Sequence, residues 1–596
     1  MIEHGSPATL CEAFQATAAR YPQEVALRTP GGAVTLTWQE YAGQVQGVAA
    51  GLAGLGVGHG DTVALMMTNR PEFHLVDTAA FHLGAVPFSI YNTFAPEQIT
   101  HVLSNAGSRV VVCEEQVGER LLAARDGTAL EHVVCVDGKP DGTVTLGELV
   151  AGGDPGFGFE ACWRAVRPGD VLTLIYTSGT TGPPKGVEIT HAQMLAELAA
   201  TNTLMPAGVG DRVISFLPMA HVVERWATHY GPMFTGMQAT AVADPRDLPR
   251  ALLDVRPTFF GGVPRVWEKL KAGIEAMVAY EPDQARRQAM QQAFEIARQY
   301  VRAVQAGEVP AELAEAYRRA DGQVLSKIRS GLGLDQVRVS GSGGAPIAPE
   351  VLEFMLAVGI PIAEVWGMSE LSCIGTANPP GAIRIGTVGK AIPGVELKLA
   401  GDGELLVRGP TVMKGYHNDP VQTAEAIDPD GWLHTGDVAT IDADGYVRIV
   451  DRKKDLIINA AGKNMSPSNI ETAVLAASPL IGQVVAIGDR RSYVVALIVL
   501  DPDAAAAFAT HHGVSDTSAA ALATHPAIHA AVDTAVKAGN CKLSRVEQIK
   551  RFCILPTFWE PGGDEITPTM KLKRRPIAAK YAEVIDSMYA TAAQPA

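Results

Sequence analysis

Eleven residues in the first third of the chain concentrate groups that bind phosphate. Tyr176-Thr177-Ser178-Gly179-Thr180-Thr181-Gly182-Pro183-Pro184-Lys185-Gly186 supplies four Ser/Thr hydroxyls, three glycines and one lysine. Phosphate oxygens require unobstructed backbone N–H groups, hydroxyl donors and a cation, and this segment carries all three. The apolar run Val171–Ile175 precedes it, so a strand feeds the loop. The segment is not a Walker A loop, because the position five after Gly179 is Pro184 rather than glycine. Gly54-Leu55-Gly56-Val57-Gly58-His59 and Gly341-Ser342-Gly343-Gly344-Ala345-Pro346 both fail the dinucleotide fingerprint at its last glycine. The loop belongs to a different class of phosphate binder.

The elements around it have to hold it. Val63–Met67, Val110–Cys113, Val133–Val136, Val171–Tyr176 and Arg212–Leu217 read as buried strands alternating with helical patterns, which predicts an α/β fold with mostly parallel sheets. Residues 264–330 are rich in Ala, Gln, Glu, Lys and Arg. Val266, Leu270, Ile274, Met277 and Val278 there fall at helical spacing. This predicts a helical insertion packed on its own domain, with a contact to a membrane or partner as the alternative. From about 385 to 450, short strands alternate with turns such as Asp402-Gly403 and Asp444-Gly445, an antiparallel pattern. A charged cluster, Asp451-Arg452-Lys453-Lys454-Asp455, ends that part. The predicted organisation is a large N-terminal α/β domain at 1–451, of mixed and parallel sheets with flanking helices, and a small α+β domain at 452–596.

Composition narrows the function. The 596 residues carry 49 Lys+Arg against 64 Asp+Glu, a formal charge of −15. An acidic chain is a poor general binder of nucleic acid or of anionic lipid. Seven scattered cysteines without a CxxC pair exclude a disulfide framework and a zinc-site spacing. The start has no secretory signal pattern, and no apolar run approaches the ~20 residues of a membrane span. The expectation is a reduced, cytoplasmic protein, at most peripheral at the inner face of the membrane. The sequence sets no oligomeric state.

Four further segments follow the phosphate loop in order: Trp366-Gly367-Met368-Ser369-Glu370, Leu433-His434-Thr435-Gly436-Asp437, Ile449-Val450-Asp451-Arg452-Lys453-Lys454-Asp455, and Thr567-Pro568-Thr569-Met570-Lys571-Leu572-Lys573-Arg574. Together the five resemble the ordered motifs of the acyl-adenylate-forming superfamily. Asp430–Asp437 running on to Lys454 resembles the fatty acyl-CoA synthetase signature. Leu217-Pro218-Met219-Ala220-His221-Val222-Val223-Glu224-Arg225 and the Lys571 segment resemble the bacterial long-chain enzymes.

The resemblance implies the following roles. Lys185 with Thr177, Ser178, Gly179, Thr180, Thr181 and Gly182 would cradle the β- and γ-phosphates of ATP. Glu370 would help hold Mg²⁺, and Ser369 would offer a hydroxyl to phosphate. Trp366, with Gly367 and Met368 beside it, and the strip Gly343-Gly344-Ala345 would sandwich the adenine. Asp437 and Arg452 would serve the ribose. Lys571 would reach in from the small domain to the α-phosphate and carboxylate. His221 would line the substrate site, or be a satisfied core histidine. Lys454 would be the hinge of a mobile small domain, and Gly462 would let the pantetheine arm of CoA pass. Trp366 and Ser369 stand where the family usually has Tyr and Thr. The implied activity joins a long-chain fatty acid to CoA through an acyl-adenylate. A ligase loading a carrier protein and a non-catalytic binding protein of the same fold remain open alternatives.

Overall fold

The computed structural model describes residues 7–177, 183–460 and 463–590. The apolar runs form the centre of an eight-stranded sheet. Thr62–Met66, Val86–Ser89, Val110–Cys113 and His132–Cys135 lie parallel, and Val171–Thr177 joins beside Val86–Ser89. Every residue of Thr62–Met66 and Val110–Cys113 is buried. Helices cover both faces, so these strands read as continuous apolar runs rather than alternations. The sheet then turns antiparallel through Lys185–Thr190 to the two-residue edge strand Gly415–Tyr416.

A second sheet sets Phe259–Gly262, Val339–Ser342 and Ile362–Trp366 in parallel. The helical segment is the crossover between the first two of these strands. It consists of α-helices Pro264–Ala279, Gln284–Ala306, Ala311–Ala320 and Ser326–Leu332, with the π-helical turn Asp321–Leu325 before the last. Trp267, Ile274, Phe294, Ala297 and Val301 bury one stripe of it against Phe354 and Val358, so it packs on its own domain. The Asp283 side chain caps the start of the longest helix by accepting the Ala285 and Arg286 N–H groups, and Gly307 ends it at φ +83°.

The β-rich part is an antiparallel sheet of Glu396–Leu399, Glu404–Arg408, Leu433–Ile441 and Val447–Arg452. Its last strand ends in the charged cluster. The smaller C-terminal domain is built on the wholly buried strand Val494–Leu500, antiparallel to Ile481–Ile487 and parallel to Ile549–Ile554. Helices Pro467–Leu475 and Pro526–Asn540 cover one face, and Arg574–Lys580 and Ala582–Ala590 the other. The molecule is therefore a mixed α/β fold with a large N-terminal and a small C-terminal domain. Among the described residues, no helix is long and apolar enough to cross a membrane.

Candidate active site

Thr177 and Lys185 are cross-strand partners in the antiparallel ladder, so the phosphate loop connects two strands and does not open a helix. Its middle residues, Ser178, Gly179, Thr180, Thr181 and Gly182, lie outside the described residues, as does Gly462. The Lys185 ammonium sits 4.8 Å from the centre of the Tyr416 ring. The Tyr416 hydroxyl donates to Glu370 Oε1 at 2.9 Å. Lys185 and Glu370 thereby meet one aromatic side chain, the first over its ring and the second at its hydroxyl.

Glu370 lies in the 3₁₀ turn Ser369–Leu371, just beyond the strand Ile362–Trp366. The chain folds back tightly here. A side chain at Gly367 would place its Cβ 1.8 Å from the Cys373 carbonyl oxygen, so only glycine fits. Ser372 adopts φ +63°, and its hydroxyl donates to the Thr411 carbonyl at 2.7 Å. The Ile374 N–H donates to Glu197 Oε1 at 3.0 Å. Glu197 is fully buried on the helix His191–Leu204, and burial holds its carboxyl well above the usual carboxylate range. Through this bond it fastens the turn that carries Met368, Ser369 and Glu370.

Gly343, Gly344 and Ala345 follow the C-terminal end of Val339–Ser342, and Trp366 ends the neighbouring parallel strand, with Ser342 opposite Glu364. Both groups thus stand at the carboxyl edge of a parallel sheet, where α/β proteins place ligands. Gly343 cannot carry a side chain there, since its Cβ would come within 2.8 Å of Val365 Cγ2. Trp366 is only 8 % exposed, and its indole N–H donates to Asp437 Oδ2 at 2.8 Å. The tryptophan in place of the usual tyrosine therefore has a polar contact that the sequence did not suggest.

Asp437 is an interior residue of the strand Leu433–Ile441, directly opposite Arg452 in the antiparallel register. Gly436 beside it takes φ +71°. The Arg452 Nε lies 2.8 Å from Asp437 Oδ1, so each carboxylate oxygen has one donor. Burial raises the Asp437 carboxyl above its ordinary value, while Arg452, Trp366 and Lys571 pull the other way.

The motif around Lys571 contains several cations, and the structure separates them. Lys573 Nζ donates to the Gly563 carbonyl at 2.8 Å, and Arg574 forms a bidentate pair with Glu471 at 2.6 and 2.7 Å. Both are tied within the small domain. Lys571 instead faces the large domain. Crowding by protein and the Arg452 charge lower its pKa, whereas Asp437 and Glu370 raise it. Its residue surface as a whole remains open to solvent, which places it in a cleft and not in a sealed core. His221 is close to the same ammonium: burial, and then Lys571, push its imidazole down to about 3, so the ring is neutral. His221 Nδ1 accepts the Val223 N–H at 3.2 Å, which leaves Nε2 as the protonated donor. Lys454 is lowered by burial and by the cations Arg452, Arg575 and Lys185.

Among the described residues, no cluster of three or more His, Cys, Asp or Glu side chains could hold a metal ion. A single carboxylate at Glu370 near phosphate-binding groups instead fits Mg²⁺, which commonly binds through one or two carboxylates plus substrate phosphates and water. A large open cleft of about 820 Å³, between helices Leu10–Arg20, Trp38–Gly54 and Phe159–Ala165, carries none of these residues. Tyr416 and Glu197 were missed by sequence reasoning. Neither belongs to a spaced motif, and only the strand pairing and the tertiary turn bring them to the site.

The fold is that of the adenylate-forming enzymes, a large N-terminal domain with a smaller C-terminal one. Residues 14–417 match the AMP-binding enzyme family, and residues 454–593 match the AMP-binding enzyme C-terminal domain. A putative fatty-acid–CoA ligase, fadD11 of Mycobacterium tuberculosis, is 57% identical over 456 residues, covering 76% of this chain and 80% of that protein. A long-chain-fatty-acid–CoA ligase, FadD15 of Mycobacterium bovis, is 36% identical over 560 residues, covering 93% and 92%. The crystal structure of the adenylation domain of a carboxylate reductase from Mycobacterium chelonae superimposes with a TM-score of 0.76 at 21% identity, covering 99% of this chain and 92% of that one. The chain belongs to the AMP-binding enzyme family.

Proposed function

We propose that this protein activates long-chain fatty acids with ATP and transfers the acyl group to coenzyme A, releasing AMP and pyrophosphate. The observation that carries the reading is the convergence on one cleft of Lys571, from the small domain, with Asp437, Glu370 and His221 of the large one and Arg452 at their junction. The names of the two relatives support the substrate class, as does the segment Thr567–Arg574.

In the first step a carboxylate oxygen attacks the α-phosphorus of ATP. A C–O–P bond forms, the bond to the β-phosphate oxygen breaks, and pyrophosphate leaves. Negative charge develops on the α-phosphate. Lys571 holds a positive charge against it and against the incoming carboxylate, the preorganised arrangement that contributes most to such catalysis. Lys185 and Thr177 hold the outer phosphates. Mg²⁺ bound at Glu370 would neutralise phosphate charge. Asp437 accepts the ribose hydroxyls while Trp366 and Arg452 fix its two oxygens. The neutral His221 offers an N–H donor beside the reacting carboxylate without adding a second cation. In the second step the CoA thiolate attacks the acyl carbon, the C–O bond to the phosphate breaks, and AMP leaves. Gly462 and the hinge at Lys454 serve this step.

The test is pyrophosphate release by the purified protein with ATP, Mg²⁺ and fatty acids from short to very long, each with and without CoA. CoA-dependent turnover peaking at long chains is expected. A single pyrophosphate per enzyme, unaffected by CoA, overturns CoA as acceptor in favour of a carrier protein. No release with any acid leaves a binding protein.

A further inference from the structure

We propose that Tyr416 is a positioning residue of the adenylation step, holding Glu370 and Lys185 in register for the Mg²⁺-bound phosphates of ATP. The proposal rests on the functional reading above and extends it to a residue outside the recognised motifs. Tyr416 is in polar contact with Glu370, O–H to Oε1 at 2.9 Å, and in cation–π contact with Lys185 at 4.8 Å. By donating to Oε1 it fixes the carboxylate plane, leaving Oε2 as the oxygen available to a cation. Its ring gives the Lys185 ammonium a surface to rest on while ATP is absent.

A positioning group must itself be immobile, and the segment around Tyr416 is tied at every turn. Gln193 Nε2 donates to the Val412 carbonyl at 2.6 Å. Met413 N–H donates to the carbonyl of Glu370 itself at 2.9 Å, Lys414 N–H to Glu188, and His417 N–H to Gly186 at 2.7 Å. The Tyr416 N–H donates to Thr423 Oγ1 at 2.9 Å, and the His417 ring pairs with Glu188 at 2.7 Å. Gly415 is required beneath it, since a Cβ there would meet Thr423 Cγ2 at 2.9 Å. The strand Gly415–Tyr416 therefore joins the phosphate-loop strand to the Glu370 turn, and Tyr416 is the side chain that reaches both functional groups.

Five proteins test this: wild type, Tyr416→Phe, Tyr416→Leu, Glu370→Gln and the Tyr416→Phe/Glu370→Gln double variant. Calorimetry measures ATP affinity with Mg²⁺ and with EDTA, beside pyrophosphate formation on one fatty acid. Phe keeps the ring and loses only the hydroxyl. Tyr416→Phe is expected to weaken Mg–ATP binding roughly tenfold, as for one hydrogen bond to a charged group. It should leave ATP affinity in EDTA and the melting temperature unchanged, and should have no further effect in the Glu370→Gln background. Tyr416→Leu, which removes the ring as well, should weaken ATP in EDTA too. Unchanged Mg–ATP affinity of Tyr416→Phe, or an equal penalty in the Glu370→Gln background, overturns the proposal alone. A wild-type protein that binds no Mg–ATP overturns the functional reading and this proposal with it.

Discussion

At the scale of single residues, charge state decides what the site can do. In the proposed mechanism Lys571 must be an ammonium to meet the α-phosphate, yet crowding and Arg452 lower its pKa. A lowered pKa means that the charge is lost at lower pH. The alkaline limb of kcat/KM for adenylation, which reports the free enzyme, is therefore expected below the ordinary lysine range near ~10.4. Lys571→Arg should remove that limb. Lys571→Ala should cut pyrophosphate formation by roughly 10²–10³-fold while sparing thioester formation from supplied acyl-adenylate. Trp366 makes a subtler case. Its N–H holds down a carboxyl that burial raises. Trp366→Phe should raise the KM for ATP by roughly 3–10-fold, and its acid limb should move to higher pH because Asp437 protonates sooner. A pH series of initial rates at limiting ATP reads both.

At the scale of elements, the helix His191–Leu204 matters because it supports the turn that presents Glu370. Glu197→Ala would leave the buried Ile374 N–H without its acceptor, a loss of about 1–3 kcal/mol to which the vacated space adds. Glu197→Gln keeps an acceptor. Burial raises the Glu197 carboxyl in the folded protein above its unfolded value, so the folded state keeps this proton to higher pH than the unfolded one does. Its stabilisation is complete below the unfolded carboxylate value near ~4.3 and declines as pH rises toward the folded value. Melting temperatures from pH 5 to 8 should therefore show Glu197→Gln gaining on wild type as pH increases. The sequence could not announce Glu197, because a lone acid within a helical pattern looks like a solvated one whether or not the fold buries it. Buried strands such as Val110–Cys113 were legible from their apolar runs, and the helical crossover from its spacing. Asp437 and Arg452 were legible as types, but their direct cross-strand pairing depends on a register that the sequence leaves open. The selection of Lys571 over Lys573 and Arg574 likewise needed the partners that draw the other two away.

At the scale of the whole molecule, the proposed mechanism runs two half-reactions in one cleft, and Lys571 lies there as the first of them calls for. The contacts that hold the small domain there straddle the segment proposed as the hinge. Asp451 accepts from the Ser466 hydroxyl at 2.6 Å and from the Ser468 N–H at 3.0 Å. The helical crossover and its neighbour supply ion pairs: Arg265 with Asp501, Lys269 with Asp503 at 3.3 Å, and Glu350 with Lys542 at 2.6 Å. Pairs as exposed as the last two are worth about 0–1 kcal/mol each, enough to orient a domain and too little to lock it. A reversible clasp is what alternation between the two steps requires. Replacing Glu350 and Lys542 by cysteine and joining them with a short bis-maleimide spacer would make the clasp permanent. The exposed Cys541 and the half-buried Cys162 and Cys553 would first be changed to serine, since the other four cysteines are buried. The linked enzyme should still release one pyrophosphate per molecule with fatty acid and ATP, because Lys571 stays in place. It should form almost no acyl-CoA, because CoA would meet Lys571 where the hinge movement ought to have brought the Gly462 loop. The unlinked double-cysteine variant should do both. If the linked enzyme makes acyl-CoA at the unlinked rate, one domain arrangement serves both steps, and Lys454 is not a hinge on which turnover depends.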